Sequence, residues 1–160
     1  MAQFFATCPK GLEYLLRDEL VALGANEVHE ALSGVHFNGE LVDGYRACLW
    51  SRLASRVLMP LGEFAAVDEQ ALYDGVQQID WSRHLAEDGT LAVDAISNAS
   101  QMRHTRYLAQ KVKDAVVDQF RDRSGNRPSV DLEKPSIRLN LLLRKDRALL
   151  SLDLSGTPLH

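Results

Sequence analysis

The side chains best suited to bind a ligand are concentrated in one basic segment. Residues 101–127 carry seven Lys or Arg and three Asp, a net charge of +4, whereas the other 133 residues carry 11 basic and 19 acidic groups and sum to −8. A basic segment in an acidic protein directs an anionic partner to one face. The charge distribution therefore predicts an anion-binding surface that the overall net charge of −4 conceals.

Most of this segment, from 103 to 123, has the periodicity of an amphipathic helix. Its apolar side is predicted to pack on a sheet and consists of Leu108, Val112, Ala115, Val116 and Phe120. A polar stripe lies roughly opposite and consists of Arg103, Arg106, Gln110 and Lys113. No acid shares that register, although like charges so spaced cost about 0.2–0.5 kcal/mol per pair. Nucleic-acid binding explains the stripe, and a solvated helix face remains the alternative.

Three further basic groups lie near this stripe. Lys111 flanks the apolar side and can extend past it, His104 lies at the rim, and Arg127 follows the helix. The complete set of predicted nucleic-acid-binding residues is Arg103, His104, Arg106, Gln110, Lys111, Lys113 and Arg127.

Motifs for catalysis are absent from the sequence. It contains no P-loop, no dinucleotide-binding glycine motif and no nucleophile elbow. His29 and His36 supply two zinc ligands without a third, and Cys8 and Cys48 have no metal-binding or redox spacing. We therefore predict no catalytic, cofactor-binding or metal-binding residue. Trp50 and Trp81 are predicted to be core residues.

The elements before residue 66 predict one complete small unit. A strand at 3–8 precedes a leucine-rich helix that ends at Gly24, and a hairpin about Ser33-Gly34 follows. Leu41, Tyr45, Cys48 and Leu49 predict a second helix, and 56–64 predicts a strand. The resulting order β-α-β-β-α-β is the ferredoxin-like motif.

The elements after residue 66 predict a second unit. Helices are expected at 68–79 and 103–123, with a short helical turn at 81–85 and a strand at 91–96. A polar loop at 124–135 leads to a terminal hairpin around a charged turn at 144–147. The predicted fold class is α+β, with domains at 1–66 and 67–160.

Composition excludes several classes of protein. A chain with 46% hydrophobic and 25% charged residues is typical of a folded domain. No apolar run is long enough for a bilayer, the N-terminus lacks the basic region of a signal peptide, and the two cysteines are predicted to be free thiols. These features favour a soluble cytoplasmic protein without a membrane or metal partner.

Several stretches together resemble the N-terminal region of the RlmL-type (RlmKL) 23S ribosomal RNA guanine-N2-methyltransferases. They are KGLEYLLRDELVALGA, SGVHFNG, CLWSRLASRVLMPLGEF, LYDGVQQIDW, KVKDAVVDQF and LSLDLSGTPLH. The resemblance covers essentially the whole chain. It implies a ferredoxin-like domain followed by a THUMP domain, an RNA-binding module, with the stripe in its RNA-facing part.

The resemblance also implies a division of labour within a longer protein. Members of that family continue into a methyltransferase domain that uses S-adenosylmethionine and carries an Asn-Pro-Pro-Tyr motif. No such motif occurs here. The chain is therefore expected to be a substrate-recognition fragment without the catalytic domain, whose partners are ribosomal RNA and that domain.

Two functions of other classes remain open at this stage. One is a ferredoxin-like enzyme of the acylphosphatase type, for which Lys10-Gly11 before the first helix would form the anion-binding loop. The other is a protein-interaction module whose acidic first unit docks a basic partner.

Overall fold

The computed structural model describes residues 2–86, 89–98, 104–125, 128–130 and 136–155. The chain forms two compact units. One contains the residues up to Pro60 together with the chain from Asp153, and the other is Leu61–Leu152. The assignment of domains to 1–66 and 67–160 stays a prediction.

The first unit has the ferredoxin-like order that the sequence predicts. Its elements are β1 (Ala2–Thr7), α1 (Glu13–Ala22), β2 (Asn26–Ala31), β3 (Gly34–Gly39), α2 (Leu41–Trp50) and the first half of β4 (Arg56–Ala65). The strands are antiparallel in the order β2-β3-β1-β4. Phe4 and Phe37 stack at a centroid distance of 5.2 Å in a core that includes Leu16 and Leu20.

The β2–β3 turn lies one residue earlier than the sequence predicts. Ala31 pairs with Gly34, so the turn residues are Leu32 and Ser33, and Ser33 takes a φ of 58°. Gly34 is needed inside β3 instead, because a Cβ there would lie 2.3 Å from the ring of Phe5. With the turn placed about Ser33-Gly34, Leu32 would share the face of the buried Val35; as a turn residue it is exposed instead.

The outer side of α2 also differs from expectation. The helix is where the sequence predicts it, with a capping box between Glu40 and Asp43. Its buried residues, however, are Gly44 and Ala47. Trp50 is 64% exposed, so the prediction of a core position is wrong for Trp50, whereas it is confirmed for the fully buried Trp81.

The second unit combines two helices with a mixed sheet. Its further elements are α3 (Glu69–Gln77), a 3₁₀ turn (Trp81–Arg83), β5 (Thr90–Asn98), α4 (Thr105–Ser124), β6 (Ser129–Val130), β7 (Ile137–Arg144) and β8 (Arg147–Asp153). The strand order is β4-β8-β7-β5-β6. β5 runs parallel to β6 and β7, and β7 and β8 form the terminal hairpin that the sequence predicts. The short β6 lies in the predicted polar loop.

Candidate nucleic-acid interface

The apolar side of α4 holds the helix against the sheet as predicted. All five residues of the predicted apolar side are buried, namely Leu108, Val112, Ala115, Val116 and Phe120. They share one core with Leu91 of β5 and with Leu139 and Leu141 of β7. Burial of this side turns the opposite side of α4, with its cations, outward.

One buried polar side chain fixes α4 more closely. Gln119 accepts a hydrogen bond from the backbone N–H of Trp81 at 2.9 Å. Its amide donates to the carbonyls of Gln77 at 3.1 Å and Ile79 at 2.7 Å. Buried groups satisfied in this way restrict a helix to one position. Gln119 therefore helps to set where the cations of α4 lie.

A cleft of about 550 Å³ opens between α4 and β5. Its β5 wall is the run from Leu91 to Ala95, and its α4 wall is Thr105, Arg106, Ala109, Gln110 and Lys113. Among the described residues, β6 pairs with β5 at Thr90 and Leu91.

The two cations of the cleft have no carboxylate partner among the residues that the structure describes. Arg106 lies in the first turn of α4, which contains no acid. The positive end of the helix dipole disfavours a cation there and favours an anion. Arg106, Lys113 and the helix N-terminus therefore form a wall that a phosphate group can neutralise.

The cleft also contains one compensated carboxylate. Asp94 of β5 accepts a hydrogen bond from Arg138 of β7, with Nη1 3.0 Å from Oδ2. With Arg106 and Lys113 included, the cleft has an excess of positive charge. The small side chains of Ala92, Ala95 and Ala109 leave room between these polar groups for a ligand.

The cations in the rest of α4 have structural partners. Arg121 pairs with Asp118 at 2.9 Å, and Arg123 pairs with Asp80 at 2.9 Å. Lys111 points towards α3, with Nζ 5.6 Å from the centroid of the Tyr73 ring. These contacts stabilise the fold, and the helix dipole favours the two arginines of the last turn.

The predicted site residues thus fall into three groups. Arg106, Gln110 and Lys113 line the cleft together. Lys111 lies beside α3, and His104 is the exposed N-cap residue of α4 without a capping side-chain bond. Arg103 and Arg127 lie outside the described residues.

Of the ten residues that line the cleft, only Arg106, Gln110 and Lys113 were predicted from the sequence. Thr105 and Ala109 carry no charge and therefore do not stand out in the sequence. Asp94 does not stand out either, because the alternation of apolar and polar residues around it indicates only a strand. The partnership of Asp94 with Arg138 joins residues 44 positions apart, which no local pattern reveals.

The loop that an acylphosphatase-type enzyme would need is already occupied. The carboxylate of Glu13 accepts hydrogen bonds from the backbone N–H of Gly11 at 2.9 Å and of Ser33 at 3.1 Å. These bonds, together with that from its own backbone N–H, lower the pKa of Glu13. A loop whose N–H groups bind a carboxylate of its own chain cannot bind a substrate phosphate there.

The described residues contain neither a metal-binding cluster nor a membrane-spanning helix. No group of three or more His, Cys, Asp or Glu side chains there is arranged to hold a metal ion. None of the described helices combines the length and the apolar character needed to cross a bilayer.

Comparison with known families identifies both units. The first matches the RlmL ferredoxin-like domain over residues 3–58, and the second matches the THUMP domain over residues 66–153. The THUMP match covers more than half of the chain, which therefore belongs to the THUMP-domain family.

Among its relatives is the ribosomal RNA large subunit methyltransferase K/L of Syntrophotalea carbinolica, which is 58% identical over 158 residues. That match covers 99% of this chain and 22% of the relative, so the chain spans about a fifth of the relative's length.

Solved structures share the fold. A predicted N6-adenine-specific DNA methylase from Listeria monocytogenes is 28% identical with a TM-score of 0.86, over 98% of this chain and 41% of that one. A putative methyltransferase complexed with SAH has a TM-score of 0.87 over 98% of this chain and 42% of that one. At 24% identity, the second likeness concerns the fold alone.

Proposed function

We propose that this chain is the RNA-binding, substrate-recognition module of a longer ribosomal RNA guanine-N2-methyltransferase that acts on the large subunit. The observation that carries the proposal is the cleft lined by Arg106 and Lys113, which have no carboxylate partners among the described residues. Membership of the THUMP family and the name of the 58% identical relative support it.

The proposed mechanism divides recognition from chemistry. Arg106 and Lys113 contact phosphates, which position the RNA without reading its sequence. The amide of Gln110 donates to Asp114 at 3.1 Å, and its remaining hydrogen-bonding groups can meet an unpaired nucleotide, the form in which RNA bases are accessible. The acidic remainder of the chain repels RNA elsewhere and so favours a single orientation.

Methylation itself is assigned to the part of the longer protein outside this chain. S-Adenosylmethionine would bind there, and the chain as given should bind none when titrated by calorimetry. A cytoplasmic location follows from the proposed substrate, because ribosomal RNA is modified where ribosomes assemble.

The proposal is tested by reversing the two unpaired cations. Each phosphate contact contributes about −0.7 to −0.9 to the slope of log affinity against log salt. Arg106→Glu with Lys113→Glu should therefore make the slope shallower by about 1.4 to 1.8. The measurement is fluorescence anisotropy with a large-subunit ribosomal RNA fragment at several salt concentrations.

A matched variant separates local contact from overall charge. Lys10→Glu with Arg52→Glu changes the net charge by the same amount at two exposed positions of the first unit. That variant should keep the slope of the unchanged chain. Equal slopes for both double variants would refute phosphate binding at the cleft, and circular dichroism establishes that each variant is folded.

A further inference from the structure

A row of apolar side chains lies exposed along α2. Leu41, Tyr45 and Leu49 follow one another at steps of four residues, so they share one side of the helix. Val42 lies beside them and Trp50 ends the row. Leu49 is 75% exposed, Trp50 is 64% exposed, and the other three are about half exposed. We call this surface the α2 stripe: Leu41, Val42, Tyr45, Leu49 and Trp50.

The α2 stripe has the composition of an interface rather than of a solvated helix face. Soluble proteins rarely expose contiguous apolar patches above a few hundred Å² unless a partner covers them. Tyr and Trp are enriched at interfaces, where a polar rim surrounds an apolar centre. Here that rim includes Arg46 and Asp43, whose charged groups pair at 2.9 Å.

The occupant of the stripe is not RNA. Arg46 is the one cation of α2, and its guanidinium is paired with Asp43. The five side chains of the stripe carry no charge, whereas RNA affinity depends on positive charges. An apolar surface of another folded domain fits its chemistry.

The course of the chain indicates which domain that is. Leu154, near the end of the described residues, donates its backbone N–H to the carbonyl of Val57 at 2.9 Å. Its side chain packs beside α2, because a Cβ at Gly44 would lie 2.8 Å from Leu154 Cδ1. The last described residues of the chain thus lie close to α2. A domain tethered at such a distance has a high effective concentration at the stripe.

We propose that the α2 stripe is the docking surface for the domain that follows residue 160 in the full-length protein. The inference rests on the proposed function, in which this chain belongs to a methyltransferase several times its length. Docking through α2 orients the catalytic domain relative to the first unit.

The test measures the accessibility of one stripe position in two proteins. Leu49→Cys is made in the 160-residue chain and in the full-length protein, and alkylation of position 49 is followed by mass spectrometry. The rate should be that of an exposed thiol in the 160-residue chain and at least tenfold slower in the full-length protein. Val21→Cys is the control, since Val21 is 57% exposed on α1 and should react equally in both.

Each other outcome overturns the proposal. Equal, fast alkylation of position 49 in both proteins means that no domain covers the stripe. Slow alkylation in both, with a dimer detected by light scattering, assigns the stripe to a second copy of the chain. Tyr45→Cys repeats the measurement if circular dichroism shows that Leu49→Cys is misfolded. The salt dependence of RNA binding by the same samples reports separately on the proposed function.

Discussion

Gln119 shows how one residue can position a binding surface that it does not touch. It is 5% exposed on the side of α4 that faces the 77–81 segment, and it satisfies three backbone groups there. An apolar residue at this position would leave the N–H of Trp81 and the carbonyls of Gln77 and Ile79 without partners. Each buried group left unsatisfied costs about 1–3 kcal/mol.

Gln119→Met should therefore lower the free energy of unfolding by about 2–4 kcal/mol, since water can reach part of the vacated site. Methionine keeps the length of the side chain and has a similar helix propensity, so a change in helix propensity does not contribute to the expected loss of stability. The control is Gln110→Met on the same helix, where the side chain is exposed and the expected change is within about 0.5 kcal/mol. Urea unfolding measures both. If the two variants lower the free energy of unfolding by similar amounts, the hydrogen bonds of Gln119 add nothing to stability.

The sequence could not reveal several of these residue-scale features. The spacing of Gln119 after Val116 places it on the apolar side of α4 but does not reveal its hydrogen-bond partners. Trp50 was predicted to be buried because tryptophan usually is. Gly34 was taken for a turn residue, although it is required by the approach of Phe5 from β1. In each case the deciding contact comes from a different element, so local pattern carries no information about it.

At the scale of elements, the two ends of α4 have different roles. The first turn presents an unpaired Arg106 to the cleft, and the last turn uses its arginines to hold the fold. Asp80, the N-cap of the 3₁₀ turn, accepts hydrogen bonds from Ser82 and from Arg123 of α4. These contacts lower the pKa of Asp80 to about 2.

The lowered pKa of Asp80 sets the pH range in which its charge stabilises the protein. Because the pKa is lower in the folded state, the contribution is complete above the usual value of about 3.9 and is lost as the pH falls towards about 2. Asp80→Asn should lower the urea midpoint at pH 6, and the difference from the unchanged chain should shrink below pH ~4.

Asp122→Asn is the matched control for this prediction. It removes the same charge from the exposed last turn of α4, where a carboxylate faces the negative end of the helix dipole. It should not lower the midpoint at pH 6. A pH-independent difference between Asp80→Asn and the unchanged chain would assign the effect to packing rather than to charge.

Elements with strong periodicity were predicted well and short ones were not. The helix expected at 103–123 is Thr105–Ser124, and the predicted terminal hairpin turns at Lys145 and Asp146. The two-residue β6 escaped detection because only its register with Thr90 and Leu91 makes it a strand. The cations of the cleft could be predicted from the sequence, whereas the part of β5 that forms its other wall could not.

At the scale of the whole molecule, the first unit needs residues from both ends of the chain. Asp153 is buried and pairs with Arg56 of β4, and Leu154 packs on the first core. The compact unit accordingly consists of the residues up to Pro60 together with the chain from Asp153. A single cut near residue 66 separates these two parts.

A fragment of residues 1–66 should therefore melt at a lower temperature than the first unit does within the intact chain. A domain of about 60 residues buries only about 60% of its chain surface, so it has little stability in reserve. Without Asp153, the guanidinium of Arg56 has lost its partner inside the unit, and without Leu154 the pocket beside Gly44 is open. Thermal circular dichroism of the fragment, and hydrogen exchange of β1 and β3 in the intact chain, measure the two stabilities.

Leu154→Ala in the intact chain should selectively increase exchange in β1 and β3, because it removes the same contact without a cut. A fragment as stable as the intact unit would show instead that the ferredoxin-like order of residues 1–66 is self-sufficient, as the sequence alone predicts.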